Sequence, residues 1–110
     1  MLITGGLGFI GSNLAIKLLG FGAKVTVVDN LDPDSGGNPF NVEDIKEHIE
    51  VIQADINDED QMKRAVKGQK YLFNLAGQMS HLGSMQDPFK DLNVNTIGQL
   101  KLLEVCRQNN

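Results

Sequence analysis

The 110-residue sequence predicts an α/β fold: a four-stranded parallel sheet in the order 3-2-1-4 with helices on both faces, the first part of a Rossmann sheet. Three observations carry this. Short β-branched or apolar runs alternate with segments of helical period. A glycine-rich turn joins the first run to the first helix, and a lone aspartate closes the second run.

The first strand is residues 1–4, followed by a helix over residues 9–19 whose Ile10, Leu14 and Leu18 recur on one face. Gly20 and Gly22 end that helix. Residues 24–28, Lys-Val-Thr-Val-Val, read as a buried central strand. Residues 31–41 carry Pro33, Gly36, Gly37 and Pro39 and read as loop; residues 42–48 form a short, weak helix and residues 49–54 a third strand. Asp58 caps a helix that runs to about Val66, with Glu59 and Asp60 in its first turn and Gly68 beyond its end. The fourth strand is residues 70–75. Residues 76–86 read as loop, then Asp87-Pro88 supplies an N-cap and a first-turn proline for a last helix reaching about Arg107. Parallel strands joined by helices need right-handed crossovers, which sets the strand order.

In residues 3–12, Ile-Thr-Gly-Gly-Leu-Gly-Phe-Ile-Gly-Ser, Gly5, Gly8 and Gly11 are spaced G-x-x-G-x-x-G, and Gly6, Gly8 and Gly11 fit G-x-G-x-x-G. Such a turn uses glycine to reach backbone angles closed to other residues, to bring main chain against a pyrophosphate, and to let helix press on strand. Free N–H groups at the helix start, with the positive dipole end, attract phosphate. Residues 8–17 contain no carboxylate to occupy that place. The plainer alternative is a flexible glycine-rich turn. Asp29 ends strand two, 18 residues past Gly11, where its oxygens can accept from ribose hydroxyls and repel a 2′-phosphate. Residues 30–40 hold no Lys or Arg to meet that phosphate, so NAD is favoured over NADP. As a plain turn residue Asp29 would need no ligand. Asp55-Ile56 after strand three suits an adenine edge and face, or a turn and a core aliphatic. Ala76-Gly77-Gln78 after strand four would let a cofactor pass close to backbone, or merely end the strand.

Composition narrows the class. Net charge is −4 and the pI about 5.0, which gives no basic surface for nucleic acid or anionic lipid. A single cysteine, Cys106, permits no internal disulfide and suits a reducing cytoplasm. No apolar run approaches the roughly 20 residues of a membrane span, and no secretory leader is recognisable. Cys106 with His48 and His81 offers no zinc spacing, so no metal is expected. Ser80 or Ser84 beside His81 lacks an orienting acid and an oxyanion site for hydrolysis.

Five ordered blocks are more specific than any one motif: residues 4–14, 28–30, 54–56, 74–78 (Asn-Leu-Ala-Gly-Gln) and 95–100 (Asn-Thr-Ile-Gly-Gln-Leu). Together they resemble the extended short-chain dehydrogenase/reductases, the NAD-dependent nucleotide-sugar epimerases and dehydratases, over essentially the whole chain. The resemblance implies NAD as cofactor. It places Gly5, Gly8, Phe9, Ile10 and Gly11 at the pyrophosphate, Asp29 and Asn30 at the adenosine ribose, and Asp55 and Ile56 at adenine. Leu75, Ala76, Gly77 and Gln78 would follow the cofactor toward nicotinamide, where Asn95 would also face; read alone, Asn95 is a polar helix residue. Asn74 stands where the family often has His, and Met79 where some epimerases have Lys.

The family's chemistry uses a Tyr-x-x-x-Lys pair in which a cation lowers the tyrosine's pKa for proton exchange with the sugar. The one tyrosine, Tyr71, lies within strand four, with Leu75 where Lys is required. The pair would lie past Asn110, so no catalytic residue is expected here. The chain is expected to be a partial NAD-binding domain, inactive alone, whose nucleotide-sugar substrate belongs to the complete enzyme. A stand-alone, non-catalytic dinucleotide-binding module is the alternative. Strand four would be an open edge, and the last helix is apolar on more than one face. Self-association through either is expected.

Overall fold

The computed structural model describes residues 1–109. Four parallel strands, β1 (Leu2–Thr4), β2 (Thr26–Asp29), β3 (Glu50–Gln53) and β4 (Leu72–Asn74), run in the order β3-β2-β1-β4. This is the predicted order, and β1 and β2 are the buried central pair. β3 is an edge strand, mostly exposed, so its apolar composition overstates its burial.

Alternation along the strands divides the core. Ile3 and Val27 point to the face covered by α1 (Phe9–Gly20), where they pack with Leu7, Ala15 and Val42. Leu2 and Val28 point to the other face, against Met62 and Ala65 of α2 (Glu59–Val66) and Leu102 and Val105 of α5 (Gln99–Gln108). Asp58 caps α2 by accepting from the Gln61 N–H at 3.1 Å, as predicted.

The sequence reading fails at three local points. The 3-10 helix Pro39–His48 begins inside the expected 31–41 loop, because Asn38 caps it and Pro39 opens it. The expected 76–86 loop contains α3 (His81–Gln86), which Ser80 caps through the Gly83 N–H at 3.0 Å. The last helix runs without a break to Gln108, close to the expected end, but not as one α-helix: α4 (Pro88–Leu92) passes into a π-helical stretch, Asn93–Gly98, before α5. Within that stretch a Cβ on Gly98 would come within 2.9 Å of Ile56 Cδ1, so glycine allows the wide turn to sit on the sheet.

Candidate functional site

A cleft of about 270 Å³ opens at the C-terminal ends of the strands, where the strand order reverses between β1 and β4. Ligand crevices in open parallel sheets form at this switch point. The glycine turn is its floor. Gly5 has φ +63° and passes so close to β4 that a Cβ would stand 2.8 Å from Leu75 O. A Cβ on Gly11 would meet Gly5 O at 2.2 Å, so α1 presses directly on the turn. Gly8 enters α1 in extended conformation; no side chain caps the helix, and no acid lies in its first turn. The opening N–H groups of such a helix lack intrahelical partners. Leu7 anchors the turn: its side chain is buried, its N–H donates to Asp29 Oδ2 at 3.0 Å, and its carbonyl accepts from Asn38 N and Asn41 Nδ2 at 3.0 and 2.8 Å.

Asp29 is nearly buried, and its second oxygen accepts from Leu31 N at 2.9 Å. Two N–H bonds leave carboxylate lone pairs for further donors. The chain then folds back over Asp29, and a Cβ on Gly37 would come within 2.6 Å of Asp29 Oδ1. Beside it, Asn30 Nδ2 donates to Asp55 Oδ2 at 2.9 Å, and Asp55 Oδ1 accepts from Asn57 N and Nδ2 at 2.8 and 2.9 Å. Burial pushes the Asp55 carboxyl up, but these amide donors from Asn57 and Asn30 outweigh it and leave it below its ordinary value.

A cation reaches this loop after all. Lys90 of α4 lies 2.8 Å from Asp32 Oδ2 and 3.0 Å from Asp34 Oδ2. Its hydrogen bond is the main reason the Asp32 carboxyl sits below the usual carboxylate range. The absence of Lys and Arg from residues 30–40 therefore does not leave the loop without positive charge. That charge is held by two carboxylates.

At the β4 exit, Thr4 Oγ1 accepts from Leu75 N and Ala76 N at 3.1 and 3.3 Å and donates to Asn74 Oδ1 at 2.7 Å. Two residues past Ala76, Asn95 grips the backbone of Gln78 twice, accepting from its N–H and donating to its carbonyl, both at 2.8 Å.

Of the residues singled out in the sequence, Gly5, Gly8, Phe9, Asp29 and Asn30 line the cleft, as do Asp55, Ile56 and Leu75 through Gln78. Three do not. Ile10 is exposed outside it, Gly11 is packed beneath the turn, and Asn95 reaches the cleft only through the Gln78 backbone. Asp32, Asp34, Ser35 and Asn41 are among the lining residues that the sequence did not single out, and Met79 and Ser80, noted there for other reasons, line it too. Turn-forming composition was all that residues 31–41 offered, whereas the pairing with Lys90 spans more than 50 residues of chain. Tyr71 lies at the opposite, N-terminal edge of the sheet, in a separate depression beside Lys70 and Glu50. Among the described residues no group of His, Cys, Asp and Glu is arranged to hold a metal ion. Burial pushes the Cys106 thiol up, away from a reactive thiolate.

A glycine turn beneath an uncapped helix, with an acid at the end of β2, defines a domain of the dinucleotide-binding Rossmann class. Residues 2–110 match the sequence profile of the family described as GDP-mannose 4,6 dehydratase. The chain is 36% identical over 114 aligned residues to CDP-paratose 2-epimerase of Salmonella typhi, covering 100% of this chain and 33% of that protein. An epimerase structure from Methanothermobacter thermautotrophicus superposes with a TM-score of 0.89 at 39% identity, over 99% of this chain and 32% of the other. The UDP-glucose 4-epimerase of Thermus thermophilus, solved in complex with NAD, gives 0.86 at 38%, over 98% and 33%. The chain belongs to the GDP-mannose 4,6 dehydratase family, within the nucleotide-sugar epimerases and dehydratases of the extended short-chain dehydrogenase/reductases. It spans about a third of the length of these relatives.

Proposed function

We propose that this chain is the NAD-binding N-terminal part of a nucleotide-sugar epimerase or dehydratase. The observation that carries the reading is the meeting, in one cleft at the sheet's switch point, of uncapped helix N–H groups and a nearly buried aspartate. The donors suit a diphosphate. The free lone pairs of Asp29 suit ribose hydroxyls, and Asp55 with Ile56 suits an adenine edge and face. Leu75 to Gln78 then offers close main chain to the nicotinamide half. When bound, NAD supplies a hydride acceptor for a sugar carbon in the complete enzyme, and this chain's part is to hold and orient it. The proton-exchanging tyrosine belongs to the remaining two-thirds of the family's length.

Nucleotide-sugar substrate, a cytoplasmic setting and hydride transfer are parts of the same proposal. They are supported by the epimerases that this chain resembles. Among the described residues no helix is long and apolar enough to cross a membrane. The exposed Leu82, Met85, Phe89, Leu100 and Leu103 support self-association through the last helices. A stand-alone dinucleotide-binding module is a second reading, favoured by Tyr71 lying at the edge of the sheet away from the cleft. An in-frame Tyr-x-x-x-Lys beyond codon 110 decides for the enzyme. Calorimetry tests the binding itself: ADP-ribose and NAD bind with similar affinity and NADP distinctly more weakly. NADP binding as tightly as NAD overturns the role of Asp29.

A further inference from the structure

Gln99 has no place in the cleft lining, yet both of its amide hydrogens and its oxygen are engaged. Nε2 donates to Ala76 O at 2.9 Å and to Val94 O at 3.0 Å. Oε1 accepts from Asn74 Nδ2. The direction of every bond follows from these two carbonyls, which can only accept. The Gln99 NH₂ must face them, so its oxygen faces Asn74. The Asn74 NH₂ is thereby turned to Gln99 and its oxygen to Thr4, so the Thr4 hydroxyl donates to Asn74. That leaves the lone pairs of Thr4 Oγ1 for the N–H of Ala76 and for that of Leu75, which also donates to the Thr4 carbonyl at 3.2 Å. Thr4 is fully buried and adjoins Gly5, whose close approach is to the same Leu75–Ala76 peptide.

The π-helical stretch gives this chain its reach. Val94 is five residues before Gln99, so the Gln99 side chain binds a carbonyl of the widened turn while also gripping Ala76 across the β4 exit. An interruption of this kind in a helix commonly marks a functional site. Here the insertion brings the start of α5 against the strand exit.

We infer that Gln99, directly and through Asn74 and Thr4, is a positioning residue that sets the backbone of Leu75 and Ala76, where the nicotinamide half of the cleft begins. It does this without touching the cofactor. The inference rests on the NAD-binding reading. It adds that the two halves of the cleft are built separately: the adenosine half by Leu7, Asp29 and the folded-back loop, the nicotinamide half by a one-directional polar chain from α5 to β1 together with the Asn95 grip on Gln78.

The test uses Gln99→Met, which keeps side-chain length and removes all three bonds, and the pair Thr4→Val and Thr4→Ser. In Gln99→Met, the amide shifts that NAD induces at Leu75 and Ala76 shrink by about half or more, while ADP-ribose affinity changes by less than about twofold. In the ligand-free protein, amide exchange at Ala76 quickens by about tenfold or more, with exchange at Leu7 and Leu31 unchanged. Thr4→Val reproduces both effects, and Thr4→Ser, which keeps the hydroxyl, shows neither. A fall in ADP-ribose affinity beyond about fivefold, or unaltered exchange at Ala76, overturns the inference. Failure of the unmodified protein to bind ADP-ribose refutes the NAD reading instead, and the ligand-free exchange still decides whether the chain of bonds sets this backbone.

Discussion

At the scale of single residues the cleft depends on what is missing from Gly11 and Gly5. A methyl group on Gly11 would stand 2.2 Å from a backbone oxygen, which no rotamer can relieve. Gly11→Ala should therefore cost about 3 kcal/mol or prevent folding, as overpacking against rigid main chain does. Urea denaturation checks this, and a loss under about 1 kcal/mol would mean that α1 can lift from the turn. Asp29 works by accepting on both oxygens, from Leu7 N and Leu31 N. Asp29→Asn turns one acceptor into a donor opposite an N–H. It should loosen the glycine turn and reduce the preference for NAD over NADP together, read by amide exchange at Leu7 and by calorimetry. The glycine turn and an acid closing β2 were legible from residue type and spacing, whereas the bonds of Asp29 to Leu7 and Leu31 were not. Leu7 was not, because an apolar side chain gives no sign that its own N–H and carbonyl hold a turn together.

Elements bring in what spacing does not encode. Asp55 joins the ends of β2 and β3 through Asn30, and its folded-state pKa lies below the ordinary value. Its contribution is present above the unfolded carboxylate pKa of about 4 and is lost as pH falls through the depressed folded value. Urea midpoints should drop as pH is lowered from about 5 toward 3, and Asp55→Asn should flatten part of that slope. An unchanged slope would separate Asp55 from the fold's acid sensitivity. The Lys90 pairs with Asp32 and Asp34 tie α4 to the loop over the cleft. Lys90→Met should speed amide exchange at Asp34 and Ser35, and added salt should do the same to the unmodified chain. Neither effect would appear if the loop held itself. Only the capping chemistry of this region was readable beforehand: Asp87-Pro88 opens α4 as expected. The Ser80 cap of α3 passed unnoticed because a run of Gly, Ser and Met without clear periodicity resembles loop.

Across the whole molecule, strand order and the two core faces followed from alternating strands and helices, since crossover handedness leaves few topologies. Lys90 and Gln99 were invisible for the opposite reason: their partners lie in distant segments that only the closed sheet brings near. The same assembly leaves Leu82, Met85, Phe89, Leu100 and Leu103 exposed on neighbouring helices. A surface of that kind seeks cover, so light scattering at micromolar concentration should give a dimer or larger species; a clean monomer counts against self-association here. The central claim is that the start of α1 holds a dinucleotide's diphosphate. An amide-resolved NMR titration with NAD addresses it most directly. The account predicts the largest shifts at the N–H groups of Phe9, Ile10 and Gly11, saturating together with those of Leu7 and Leu31. Saturation with these amides unmoved, or shifts confined to another surface, would contradict it.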